Sequence, residues 1–99
     1  MSKPTIFFYI CQTEYDNGAY LWWLSDTEAE VRLREIDTPW WSIGRTKPVA
    51  TVRWVEDDRR FEIDAGGEIL DMQYSEDVMD YIDALEPLRW TEQSWKGGA

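Results

Sequence analysis

The sequence predicts a small α+β domain: an antiparallel sheet of about five strands, made of an N-terminal hairpin and a three-stranded meander, with one or two helices. Three observations carry that expectation. Ninety-nine residues are enough for a single core and one domain. A hydrophobic content of 43%, with 15% of the chain aromatic, is too high for a disordered acidic chain. Apolar runs of strand length alternate with turn residues, and one later stretch has a helical period instead.

Thr5–Cys11, TIFFYIC, is continuous, aromatic and β-branched, and predicts a strand buried on both faces. Ala19–Leu24, AYLWWL, predicts a second. Between them stands Asn17-Gly18, a pair that readily takes the positive φ angles of tight turns, so the two runs predict an antiparallel hairpin. Ser25–Asp37 carries two signals. Ser25 with Glu28 matches a capping box, and Glu28/Arg32 and Glu30/Arg34 are favourable helical pairs, whereas Val31-Arg32-Leu33-Arg34 alternates like a strand. The balance favours a helix, with a strand as the alternative.

Thr38–Lys47 reads as a loop, broken by Pro39 and Gly44. Trp40 and Trp41 are adjacent within it, so on an extended chain they point to opposite sides. Either both cover the edge of the core or one is an aromatic anchor for a partner, because tryptophan is enriched at binding hot spots. Pro48–Val55 predicts a strand with Ala50, Val52 and Trp54 on one face. After a turn over Glu56–Arg60, Phe61–Asp64 returns with Phe61 and Ile63 inward. Asp64-Ala65-Gly66-Gly67 makes the next turn, and Glu68–Tyr74 is the last strand, with Leu70, Met72 and Tyr74 inward.

Ser75–Glu86, SEDVMDYIDALE, is an amphipathic helix with Ser75 as N-cap and Pro87 past its end. At about 100° per residue, Val78, Tyr81, Ile82 and Leu85 share one sector. Glu76, Asp80, Asp83 and Glu86 lie opposite, with Met79 among them. Leu88 and Trp90 are expected to dock, and residues 91–99 to fray.

The net charge of −10 resides entirely in residues 56–86, which hold twelve acids against Arg59 and Arg60. A surface helix needs a solvated face, and Glu76 and Asp77 suit the positive end of the helix dipole. That account fails for the remainder. Asp83 and Glu86 lie near the negative end, and Glu76/Asp80, Asp77/Asp80, Asp80/Asp83 and Asp83/Glu86 are like-charge neighbours, each unfavourable by roughly 0.2–0.5 kcal/mol. No lysine is interspersed, and aspartate is a weak helix former. A pattern that opposes folding points to a surface for a basic partner. Glu56, Asp57, Asp58, Glu62, Asp64 and Asp71 are expected to extend it, with Trp40, Trp41 and Met79 as weaker apolar contacts.

Composition excludes much chemistry. There is no histidine and a single cysteine, Cys11, which removes Ser/His/Asp and Cys/His catalysis, histidine-ligated metals and thiolate clusters. Gly66-Gly67 is followed by Glu68, which would repel a phosphate. Asp57-Asp58 and the Asp64–Asp71 turn do not match the calcium-loop pattern, and a chain of this size leaves little room for a glycosidase cleft. The expectation is a non-enzymatic protein without cofactor or metal. A sequence pI near 4.3 opposes direct binding to nucleic acid or an anionic membrane. The absence of an 18-residue apolar run and the lone cysteine fit the cytoplasm.

These observations lead to an expected inhibitor that presents carboxylates where a basic nucleic-acid-binding protein expects phosphates. In size, charge and lack of catalytic residues the chain is similar to phage anti-defence proteins, among them anti-CRISPR and anti-restriction DNA mimics. That resemblance of profile implies a CRISPR effector or restriction enzyme as target, in a host cytoplasm. An immunity protein or antitoxin against a nuclease toxin predicts nearly the same surface. An acidic interaction adaptor is the third reading, and it predicts weak salt dependence of partner binding.

Overall fold

A computed structural model describes residues 5–91, with side chains from Phe8 onward. The elements are α1 (Thr5–Gln12), β1 (Ala19–Trp23), β2 (Glu28–Arg34), β3 (Thr46–Val55), β4 (Arg60–Ala65), β5 (Glu68–Met72) and α2 (Ser75–Asp83). The strands form one antiparallel meander in the order β1-β2-β3-β4-β5, and the class is α+β with two helices as expected. The tail expected over residues 91–99 lies outside the described residues except for Thr91.

Alternation sets which face is buried. Ala29, Val31 and Leu33 of β2, Ala50, Val52 and Trp54 of β3, and Phe61 and Ile63 of β4 point to one side and form the core with Ile10 of α1 and Val78 and Ile82 of α2. Trp54 and Phe61 are direct cross-strand partners, and their rings lie 4.8 Å apart at a tilt of 56°. Gly66-Gly67 closes the β4–β5 hairpin with both φ angles positive, and the Gly67 amide donates to Asp64 Oδ1 at 3.0 Å. Between β2 and β3 the register slips: Val31 faces Ala50 while Arg32 faces Pro48, leaving Val49 as an extra residue. A bulge is where a proline without an amide hydrogen is tolerated in a sheet interior.

Two segments differ from expectation. Thr5–Gln12 is a helix and not a strand, so no hairpin joins it to Ala19–Trp23. Five strands at about 4.8 Å spacing make a sheet about 19 Å wide, which one helix about 10 Å across cannot cover. The apolar N-terminal run supplies the second cover. Residues 28–34 are a strand and not a helix, pairing with both β1 and β3. Its acids and arginines pair along and across strands instead of along a helix: Arg32 pairs with Glu30 two residues away on the same strand, and Glu28 with Arg53 of β3 at 2.9 Å. Ser25 Oγ accepts the Thr27 amide in a local turn rather than opening a helix. Tyr74 also departs from its expected inward position, being 60% exposed at the N-cap of α2. Ser75 is the first helical residue, and no side chain caps that end.

Candidate functional site

Every outward carboxylate of α2 remains available. Val78 and Ile82 are fully buried against the sheet, with Tyr81 and Leu85 partly buried beside them. Glu76, Asp77, Asp80, Asp83 and Glu86 are exposed, and none of them forms an ion pair among the described residues. Met79 is partly buried and accepts the Thr13 hydroxyl at 3.6 Å, so it helps join α2 to the end of α1 rather than standing among the acids.

The C-terminal end of α2 is held by a residue from the other end of the chain. Asn17, itself buried, donates its side-chain amide to the carbonyls of Ile82 at 2.8 Å and Leu85 at 2.9 Å, with a longer bond to Asp83 at 3.4 Å. Its Oδ1 accepts the Ala19 amide at 3.0 Å. These carbonyls belong to the last turn, where a helix end leaves carbonyls short of partners; that of Ile82 also accepts the Leu85 amide at 3.2 Å. Gly18, at φ +84°, fits because a Cβ would stand 2.5 Å from the Arg34 carbonyl oxygen. Asn17-Gly18 is therefore a clasp between the α1–β1 loop and α2, and not a hairpin turn. It brings the exposed acids Glu14 and Asp16, which the sequence reading left aside, onto a segment beside the acidic helix.

Tyr15 sits in that segment and reports on it. Burial, with smaller contributions from Cys11 and Asp83, pushes its phenol up to about 12. Up to about pH 10 both folded and unfolded chains keep the proton and stability is unaffected. Between about pH 10 and 12 the unfolded chain releases it while the folded chain holds it, so stability falls by about 2 kcal/mol. Urea titrations at pH 9 and pH 11.5 should show that loss, and Tyr15→Phe should remove most of it.

The sheet acids lie elsewhere. Phe61 and Ile63 face the helices, so Glu62 and Asp64, which alternate with them, face away, onto the open side of the sheet. Asp71, directly opposite Glu62, shares that side. The open face is a ladder of opposite charges: Arg53 bridges Glu28 at 2.9 Å and Glu62 at 3.6 Å, and Arg60 bridges Glu62 at 3.3 Å, Asp58 at 3.4 Å and Asp71. Glu62, Asp64 and Asp71 thus do not continue the surface of α2, and Glu62, Asp71 and Asp58 are already matched by arginine. Glu56 accepts the indole N–H of Trp54 at the β3–β4 turn, and Asp57 is exposed there without an ion pair among the described residues.

The tryptophan loop is a separate feature. Glu35, whose side chain is only 2% exposed, receives the Arg45 guanidinium at 2.9 and 3.1 Å, and its amide donates to the Arg45 carbonyl at 2.7 Å. Asp37 pairs with Arg89 at 2.6 Å, and Ile36 exchanges backbone hydrogen bonds with Leu88 and Trp90. The Ser42 amide donates to the Pro39 carbonyl at 3.0 Å, and Trp41 meets Trp90 edge to face at 5.7 Å. Held at this many points, the loop leaves Trp40 and Ile43 each 95% exposed, with Trp41 at 47%.

Among the described residues no group of three or more acidic, cysteine or histidine side chains is placed to hold a metal ion, and no helix is long and apolar enough to cross a membrane. No protein-family model matches this chain, and no curated protein or solved structure matches it either.

Proposed function

We propose that this chain is a non-enzymatic inhibitor whose α2 carboxylates occupy the phosphate-binding site of a basic nucleic-acid-binding protein, in the manner of a phage anti-defence decoy acting in the host cytoplasm. The observation that carries the reading is the contrast between two sets of acids. Those of the open sheet face are largely matched by Arg53 and Arg60, whereas the four of α2 and Glu86 just beyond it face solvent without a cation among the described residues. A chain that can neutralise carboxylates in one place and leaves them bare in another keeps a charged surface that opposes its own folding.

Spacing supports the phosphate comparison. The nine residues of α2 rise about 13.5 Å and carry four outward acids, Glu76, Asp77, Asp80 and Asp83, while one DNA strand places a phosphate about every 3.4 Å of axis. The helix therefore matches one strand's row of about four phosphates, with Glu86 continuing it. Arginine and lysine in the target would pair with these oxygens, and long-range attraction would speed the encounter.

The test compares wild type with the triple variant Asp80→Asn, Asp83→Asn, Glu86→Gln in capture from a bacterial lysate at low and moderate salt. Wild type is expected to retain a nucleic-acid-handling protein that added salt and added DNA both release. Even at about 0.5 kcal/mol per exposed charge pair, three lost pairs weaken binding roughly tenfold. The variant should also fold at least as stably as wild type, since all four of the like-charge contacts named above lose a partner. Equal retention by the two proteins would reject the assignment of α2.

A further inference from the structure

We propose that Asn17 is a site of spontaneous modification, converted to aspartate or isoaspartate when its clasp on α2 opens, and that the converted residue cannot close the clasp again. Asn17 is the only asparagine in the chain, and glycine follows it. That pair sets up an intramolecular reaction. The backbone nitrogen of Gly18 can close a five-membered ring on the side-chain carbonyl carbon of Asn17, and glycine, lacking a Cβ, leaves the approach unhindered. The nitrogen gives up its proton to solvent base and attacks that carbon. A C–N bond forms, the bond to the side-chain nitrogen breaks, and the departing group takes up a proton and leaves as ammonia. Water then opens the succinimide at either of its carbonyls, giving aspartate or isoaspartate. Base and water are the only co-reactants.

The closed clasp opposes each step. The Gly18 amide hydrogen is engaged by the Tyr15 carbonyl at 3.2 Å, away from solvent base. The carboxamide that must turn toward this nitrogen is fixed at both ends. Its Nδ2 donates to the carbonyls of Ile82 and Leu85 at 2.8 and 2.9 Å, and its Oδ1 accepts the Ala19 amide at 3.0 Å. Asn17 is also buried, which keeps water from it. Reaction therefore draws on the population in which these bonds are broken.

The products do not fit the site that protected the asparagine. Aspartate has no hydrogen to donate to the two carbonyls, and it sets a carboxylate against the negative end of α2. Isoaspartate also routes the main chain through the former side chain, adding a backbone carbon directly before Gly18. That position has no room to spare, since a Cβ on Gly18 would stand 2.5 Å from the Arg34 carbonyl oxygen. Protection while closed and misfit after reaction make each opening a chance of permanent loss, so the clasp limits the lifetime of the folded chain.

The test holds wild type at mildly alkaline pH, in native buffer and in urea sufficient to unfold it, and follows the exchange of NH2 for OH by mass spectrometry with peptide mapping. With a single asparagine in the chain, the modified peptide identifies the residue. Conversion is expected to be at least about tenfold slower in native buffer than in urea, because it follows the population of the open form. Asn17→Gln, which must close a six-membered ring, should show no comparable conversion at position 17 in urea. Converted protein, separated by its added negative charge and refolded, should melt below wild type by at least as much as Asn17→Ala does. Equal rates in native buffer and urea, no conversion in urea, or a converted protein that melts with wild type overturns the proposal.

Discussion

Asn17→Ala is expected to lower stability by about 2–3 kcal/mol, the scale of losing the three hydrogen bonds its side chain makes with the Ile82 and Leu85 carbonyls and the Ala19 amide, and to lower the melting temperature by about 10–20 °C for a domain of this length. The reasoning rests on where the lost amide works. It bonds the Ile82 and Leu85 carbonyls, and Ile82 is fully buried, so water cannot readily replace it. Asn17→Asp should be worse than alanine despite its near-identical shape. It removes both amide hydrogens and sets a carboxylate against the negative end of a helix that already carries Asp80, Asp83 and Glu86 nearby. Thermal unfolding of the three proteins is expected to rank wild type first, Asn17→Ala second and Asn17→Asp last. An Asn17→Asp protein as stable as wild type would show that the clasp does not depend on donation. Because the clasp fixes the last turn of α2, the alanine variant should also bind a basic target less tightly.

The parts of the fold that were legible in the sequence are those in which one period dominates. From Ala50 to Met72 apolar and polar residues alternate, the turns are short, and Gly66-Gly67 marks a hairpin, so β3, β4 and β5 follow from local pattern alone. Thr5–Cys11 offers no such pattern. A seven-residue run without polar interruption suits a buried strand or a covering helix equally, and the width of the sheet decides between them. In residues 28–34 the helical charge pairs and the strand alternation coexist. The alternation of Ala29, Val31 and Leu33 prevails because it buries three side chains, whereas the surface pairs are worth only tenths of a kcal/mol each.

The acidic helix was legible for the same reason, its outward and inward residues being separated by a clean helical period. The division of the acids between two sides of the molecule was also encoded. Phe61 and Ile63 must face whatever covers the core, and α2 must cover it with Val78 and Ile82, so Glu62 and Asp64 necessarily point the other way. What no local pattern carries is the set of contacts between distant segments. Asn17 reaches α2 across more than sixty residues, and Arg89 reaches Asp37 across fifty-two. Composition implied that some of the seven tryptophans would face water, but only the Trp41–Trp90 contact and the Glu35–Arg45 pair determine that Trp40 is among them.

That second pair carries the other large effect. Arg45→Met is expected to destabilise the protein by about 3 kcal/mol, because it leaves the carboxylate of Glu35 buried without its cation. Arg45 itself is 56% exposed, which holds the effect at the lower end of the range for buried pairs, since water can reach one side of the site. Replacing both partners, as Glu35→Leu/Arg45→Met, should recover most of the loss: the groups that required pairing are gone and an apolar contact takes their place. The backbone amide at position 35 still donates to the carbonyl at position 45 in both variants, so the loop keeps its backbone closure. The double variant therefore separates stability from presentation. If the guanidinium serves mainly to neutralise Glu35, the double variant should unfold in urea near the wild-type midpoint and keep the wild-type tryptophan emission spectrum. If it also fixes the conformation of the tryptophan loop, stability should return while the tryptophan emission stays shifted from that of wild type. A double variant as unstable as Arg45→Met would instead assign the stabilisation to the packing of the arginine stem and not to the ion pair.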